Sequence, residues 1–122
     1  MERFRFMKMD IWKEAVELNN VLFDLADNFT EFKSFRVAEQ LRAASLSISN
    51  NIAEGSGLNS DKEFAVFLNY ARRSIFETAN IVIIENQRGY INRNQTDVFL
   101  ERLEILSRKI SNFRKSISKQ TS

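Results

Sequence analysis

Proton transfer, metal binding and nucleophilic attack each need particular side chains, and this sequence withholds the most useful ones. It contains no histidine and no cysteine. The commonest general base, the commonest metal ligand and the thiolate nucleophile are therefore missing. Two carboxylate pairs, Glu14-x-x-Glu17 and Glu101-x-x-Glu104, have the spacing of half a carboxylate metal site. A di-iron bundle needs Glu-x-x-His on two helices, with every ligand turned inward. These glutamates lack the histidine and flank the apolar seams, so they read as surface charges. Ser45, Ser47 and Ser49 have no base to activate them and lie in no G-x-S-x-G setting. Gly55-Ser56-Gly57 lacks the preceding strand and the fuller glycine pattern of a phosphate loop. No catalytic set, metal or cofactor is expected.

What remains is charge. After Glu104 the charged residues are Arg108, Lys109, Arg114, Lys115 and Lys119, with no acid among them. Such a run could follow a phosphate backbone, since neutralising several phosphates gives salt-sensitive affinity. Arg72 and Arg73, with Arg42, offer a second patch. The competing reading is a solvated helix face, or pairing with an acidic helix across a subunit contact. Residues 14–32 supply that acidic helix through Glu14, Glu17, Asp24, Asp27 and Glu31, with no Lys or Arg. The charges alone leave both readings open. No aromatic–basic RNP pattern and no zinc finger is present. Asn50, Asn51 and Glu54 fall beside a turn, where they would satisfy loop N–H groups and hold a corner, or else meet a ligand or partner.

These residues must be positioned by helices. The chain is 122 residues long and 43% hydrophobic, with eleven Phe, three Gly and no Pro. That length suits one domain with a real core, and the scarcity of Gly and Pro favours long helices with short links. In the first predicted helix, residues 10–28, Ile11, Ala15, Leu18, Leu22, Leu25 and Phe29 form a heptad seam, with Asp10 as a candidate N-cap. A short link over residues 30–34, with Ser34 as a cap, leads to a second helix over residues 35–54. That helix is rich in small residues, which let neighbours approach closely. Gly55 and Gly57 are read as its stop, where a left-handed cap costs least. Ser60-Asp61-Lys62-Glu63 then gives a capping box for a third helix over residues 61–88.

Phe64, Phe67, Leu68, Ala71, Ile75, Thr78 and Val82 form the third seam, while Phe76, Ile83 and Ile84 lie off it and ask for a second partner surface. Gly89 is the natural C-cap, with Arg88 in the last turn. The fourth helix is expected over residues 95–118, starting near Asn94 or Thr96. Its seam of Phe99, Leu103, Leu106, Ile110, Phe113 and Ile117 is the most regular in the chain. Four such helices most simply make an all-α, up-down-up-down antiparallel bundle. A three-helix core with an arm, or a bundle completed on oligomerisation, are the alternatives. Residues 1–9 are read as an arm over the bundle or a neighbour, or as a partly ordered terminus.

No signal peptide is expected, because Arg3, Arg5 and Lys8 are followed by no apolar h-region. The longest apolar run, Ile81 to Ile84, is too short for a membrane span. Together with the absence of cysteine this fits a reducing cytoplasm. Net charge is +2, mildly favouring an anionic partner.

The central stretch carries a resemblance. Gln40-Leu41-Arg42-Ala43-Ala44, Ser47-Ile48 and Asn51-Ile52-Ala53-Glu54-Gly55-Ser56-Gly57 resemble the hallmark of the four-helix-bundle family of 23S rRNA intervening-sequence proteins. Members are often labelled ribosomal-protein-like, and relatives include accessory proteins of diversity-generating retroelements. Phe6-x-x-Met9-x-Ile11-Trp12-Lys13, Glu14-Ala15-Val16-Glu17-Leu18, Glu63-Phe64 with Phe67-Leu68, Ala71-Arg72, Ser74 and Gly89-Tyr90 extend it across residues 6–115. Two positions depart from the family pattern. Ala43 stands where a second Arg is usual, which removes a charge from a possible anion-binding face. Ser49 stands where Pro is usual, which removes a local kink.

The resemblance implies a protomer that assembles into a ring, typically a homopentamer, and no known catalysis. In the retroelement relatives the basic ring meets nucleic acid and a reverse transcriptase. For this chain it implies a non-catalytic oligomer binding RNA or DNA through Arg42, Arg72, Arg73, Arg108, Lys109, Arg114 and Lys115. Phosphate contacts of that kind position without reading sequence. The rival is a scaffold whose charges serve self-assembly and docking of a partner protein, such as a reverse transcriptase or a ribosome-associated protein. An enzyme is a distant third.

Overall fold

The computed structural model describes residues 3–29 and 35–120. Four helices carry the chain: α1 (Asp10–Phe29), α2 (Phe35–Ser56), α3 (Asp61–Gln87) and α4 (Arg93–Gln120). No strand occurs among the described residues. The expected link with its Ser34 cap lies outside them. Neighbouring helices run antiparallel: the later part of α1 meets the first part of α2, the end of α2 meets the start of α3, and the start of α3 meets the later part of α4. Asp27 and Asn19 of α1 meet Arg42 and Ser45 of α2. Ser47 of α2 meets Ser74 of α3. Phe64 and Ala65 of α3 meet Phe113 and Arg114 of α4. The circuit closes where Glu14 of α1 reaches Lys109 of α4.

Most residues of the predicted seams are buried, while Phe67 and Phe113 are half-buried. Leu18, Leu22, Leu41, Ile48, Ile52, Phe64, Leu68, Ile75, Leu103, Leu106 and Ile110 have lost essentially all contact with solvent. Each contributes roughly 1.5–3 kcal/mol on leaving water. The off-seam residues of α3 stay outside, with Phe76 63% exposed and Ile83 and Ile84 near 40%. At the amino end a short 3-10 turn, Arg5–Lys8, folds onto the bundle. Phe6 packs edge-on against Trp12 at 5.0 Å, and the Arg5 guanidinium lies 5.1 Å above the Phe64 ring. The expected arm is therefore a turn laid on its own protomer.

The corner between α2 and α3 departs from the expectation. Neither Gly55 nor Gly57 adopts a positive φ. Helix α2 continues through Gly55 to Ser56, and Gly55 is buried. A Cβ placed on Gly55 would lie 2.7 Å from Phe67 Cβ and 2.8 Å from Phe64 Cδ1. The glycine is there because α3 passes too close for any side chain, not because the backbone turns left. The turn is closed instead by Gly57 N–H donating to Glu54 C=O and Leu58 N–H donating to Gly55 C=O, both at 3.2 Å. Ser60 caps α3 as expected, its Oγ accepting from Glu63 N–H at 3.1 Å.

The next corner uses the left-handed conformation. Gly89 has φ +85°, its N–H donates to Asn86 C=O, and Tyr90 N–H donates back to Glu85 C=O. This pair of bonds is a Schellman cap. Helix α4 then starts at Arg93, earlier than expected, because Asn92 and Gln95 form a reciprocal capping box. Gln95 N–H donates to Asn92 Oδ1 at 2.8 Å, and Asn92 N–H donates to Gln95 Oε1 at 3.1 Å. Asp10, expected as an N-cap, is the first residue within α1. Ser49 lies in an unbroken α2 and its Oγ donates to Leu46 C=O at 3.2 Å. The helix accepts serine at this position without a kink.

Candidate nucleic-acid interface

The seven basic residues singled out above do not form one patch. On α2, Arg42 pairs with Asp27 of α1 and helps to hold those two helices together. Lys109 of α4 pairs with Glu14 of α1. One pair drawn from the acidic face of α1 and the basic run of α4 thus meets within the protomer. Arg114 is half-buried, and its Nε donates to the backbone carbonyl of Ala65 at 3.0 Å, tying α4 to the first turns of α3. Arg108 makes only an exposed pair with Glu104 one helical turn away, at 3.5 Å. Such pairs contribute about 0.3–0.5 kcal/mol and leave the cation accessible.

Arg72, Arg73 and Lys115 differ. Among the described residues none of the three has an acidic partner. Arg72 and Arg73 are neighbours on α3, and with Asn69 and Phe76 they line a shallow cavity of about 70 Å³. The Nε of Arg72 is shut off from solvent and has no hydrogen-bond acceptor. Arg73 also lines a polar groove of about 480 Å³ between α2 and α3, with Ser47, Asn51, Tyr70, Ser74 and Glu77.

That groove rests on a hydrogen-bonded ladder. Ser47 and Ser74 hydroxyls lie 2.8 Å apart across the two helices. Asn51 Nδ2 donates to the Ser47 carbonyl at 2.8 Å and to its hydroxyl at 3.0 Å. Ser74 Oγ lies 3.1 Å from the Tyr70 carbonyl. Asn51 therefore bonds within α2 and does not hold the loop as expected. Glu54 is exposed, and it is its backbone carbonyl that closes the turn. A second buried polar rung joins α1 to α2, where Ser45 Oγ donates to Asn19 Oδ1 at 2.8 Å.

The carboxylates behave as surface or packing groups. Glu17, Glu101 and Glu104 are exposed and Glu14 is engaged by Lys109. Among the described residues no cluster of three or more His, Cys, Asp or Glu is placed to hold a metal. One carboxylate was missed. Glu85, near the end of α3, is 1% exposed, and its Oε2 has no hydrogen-bond partner. Burial pushes its carboxyl above the usual value of 4.5, and the nearby Arg88 charge pulls it partly back. It continues the α3 seam three residues after Val82, in register with Ala71 and Thr78, and that spacing was the available sign of its burial. No helix among the described residues is long and apolar enough to cross a membrane.

Four antiparallel helices with a polar seam between α2 and α3, and cations split between packing and the surface, define an all-α helical-bundle protein. The family model of the 23S rRNA-intervening sequence proteins matches residues 7–112, and the chain belongs to that family. In structure it is similar to a protein of unknown function from the S23 ribosomal protein family of Bacteroides thetaiotaomicron. That likeness has a TM-score of 0.82 at 22% identity and covers 86% of this chain and 98% of the other. It concerns the fold. No curated protein matches the sequence.

Proposed function

We propose that this protein is a non-catalytic, cytoplasmic helical-bundle protein that self-associates and binds RNA through basic side chains on the outer face of α3. The observation that carries the reading is the pair Arg72 and Arg73, neighbours on α3 that have no acidic partner among the described residues. A guanidinium without an acidic partner is suited to a phosphate oxygen, which accepts charge-assisted bonds. Arg108 and Lys115 extend the same potential. Arg42, Lys109 and Arg114 are given a smaller part because each already has a partner within the protomer. Family membership supports an RNA partner in preference to another polyanion.

Self-association draws on a separate observation. Ile83 and Ile84 are exposed toward the far end of α3, where an apolar pair favours contact with another surface. A ring of such protomers would repeat the cationic face and multiply its phosphate contacts. A partner protein docking on the same apolar pair is the second reading.

The test is binding of the purified protein, at measured oligomer mass, to a structured RNA and to a DNA duplex of equal length, titrated across salt. Affinity that falls steeply with salt, and is higher for RNA, is the expected outcome. Absence of binding at low salt from an intact oligomer would overturn the reading in favour of protein docking.

A further inference from the structure

Phe76 is the most exposed large apolar side chain on any of the four helices among the described residues, at 63%. It stands between two grooves. On one side lie Asn69, Arg72 and Arg73. On the other, a groove of about 370 Å³ between α3 and α4 includes Leu103, Ser107 and Arg108. One exposed ring is thus shared by two grooves that hold three guanidinium groups between them. Glu104 lies in the second groove and offsets part of the Arg108 charge. The Arg72–Arg73 side carries the stronger attraction for an anion.

We infer that Phe76 is a stacking platform for an unpaired base of single-stranded RNA, with Arg72 and Arg73 taking the adjoining phosphate. The inference rests on the nucleic-acid reading above and narrows it from RNA in general to its unpaired segments. Every base has a π-face, so an exposed aromatic ring flanked by cations binds single strands without reading sequence. A duplex keeps its bases stacked on one another and cannot offer one to the ring. Arg72 and Arg73 supply the independent observation, because both line the cavity that Phe76 borders and neither has an acidic partner among the described residues. An apolar surface from a second copy would cover the ring but leave those two charges unmatched.

The experiment uses the full chain, with solution mass and helical circular dichroism recorded for every variant. A labelled single-stranded RNA of about ten nucleotides and the same sequence as a duplex are titrated across salt. The wild type is expected to prefer the single strand. Phe76→Ala is expected to lose roughly tenfold in single-strand affinity, with the salt slope and the duplex affinity unchanged. Phe76→Trp is expected to restore the loss. The Arg72→Gln, Arg73→Gln double variant is expected to flatten the salt slope for both ligands. If Phe76→Ala binds the single strand as the wild type does while the arginine variant is impaired, the stacking inference falls and the phosphate reading stands. If Phe76→Ala changes the oligomer mass, the ring serves self-association and the inference falls as well. Failure of the wild type to bind either RNA removes both readings.

Discussion

Helix α3 has two faces made for different ends. Its buried face holds Phe64, Ser74, Ile75 and Thr78, each less than a tenth exposed, and approaches α2 so closely that Gly55 has no room for a methyl group. Its exposed face holds Arg72, Arg73, Phe76 and Ile83, whose polar and apolar groups are left without partners in the protomer. Helix α4 offers the contrast. Its basic run looks more suited to an anion in sequence, yet Lys109 is paired with Glu14 at the surface and Arg114 is tied to the backbone of Ala65. The number of cations on a helix is thus a poor guide to its partner. What matters is whether the fold has already neutralised them.

If that division is right, the two faces respond differently to substitution. The largest effect belongs to the buried face. Gly55→Ala forces a methyl group against Phe67 Cβ, an atom that cannot swing away. It should destabilise the protein by about 2–3 kcal/mol, as overpacking does, seen as a lower denaturation midpoint in urea at an unchanged slope. A stability within about 0.5 kcal/mol of wild type would show that α2 and α3 can part freely, and the contrast between the faces would collapse.

A smaller effect is expected from the committed cations. Arg114→Gln removes a donor to Ala65 C=O and should lower stability by about 1 kcal/mol, while leaving the salt dependence of RNA binding almost unchanged. The opposite pattern, stable protein and a flattened salt slope, would place Arg114 on the interface with Arg72 and Arg73.

The smallest effect concerns Glu85. Its carboxyl is raised in the folded state, so the fold binds its proton more tightly than the unfolded chain does. The charged form is the disfavoured one. Stability is therefore lost as pH rises from about 4.5 through the folded-state value, and recovered on acidification. Glu85→Gln should raise the melting temperature near pH 8 by a few degrees, about 1 kcal/mol or less, and should do little at pH 4. An equal gain at both pH values would mean that the side chain acts through packing and not through its charge.

The helices were legible in the sequence because their apolar spacing is regular. Ile11 to Leu25 and Phe99 to Ile117 each keep one stripe, and each stripe is buried apart from the half-buried Phe113. The errors arose where one residue type serves two purposes. Glycine after an apolar run signals a left-handed cap, and Gly89 obeys. Gly55 is set by the passage of Phe67 from another helix, which no local pattern records. The Asn92–Gln95 capping box could have been read from its spacing, but asparagine with glutamine is a less familiar signature than serine with glutamate. For the candidate interface, the charges were legible and their partners were not. Lys109 and Glu14 lie 95 positions apart, and only the closed bundle brings them together. Phe76 was visible as an apolar residue off the seam, and its place three and four residues after Arg73 and Arg72 puts it on their side of α3.

The most direct measurement is the slope of log affinity against log salt for a single-stranded RNA, compared between wild type and two double variants. Arg72→Gln with Arg73→Gln should reduce the slope by roughly 0.7 for each protomer engaged, as expected for one lost phosphate contact. Lys109→Gln with Arg114→Gln should lower stability and leave the slope near the wild-type value. A slope unchanged by the α3 pair, or reduced only by the α4 pair, would contradict the assignment of the nucleic-acid face to α3.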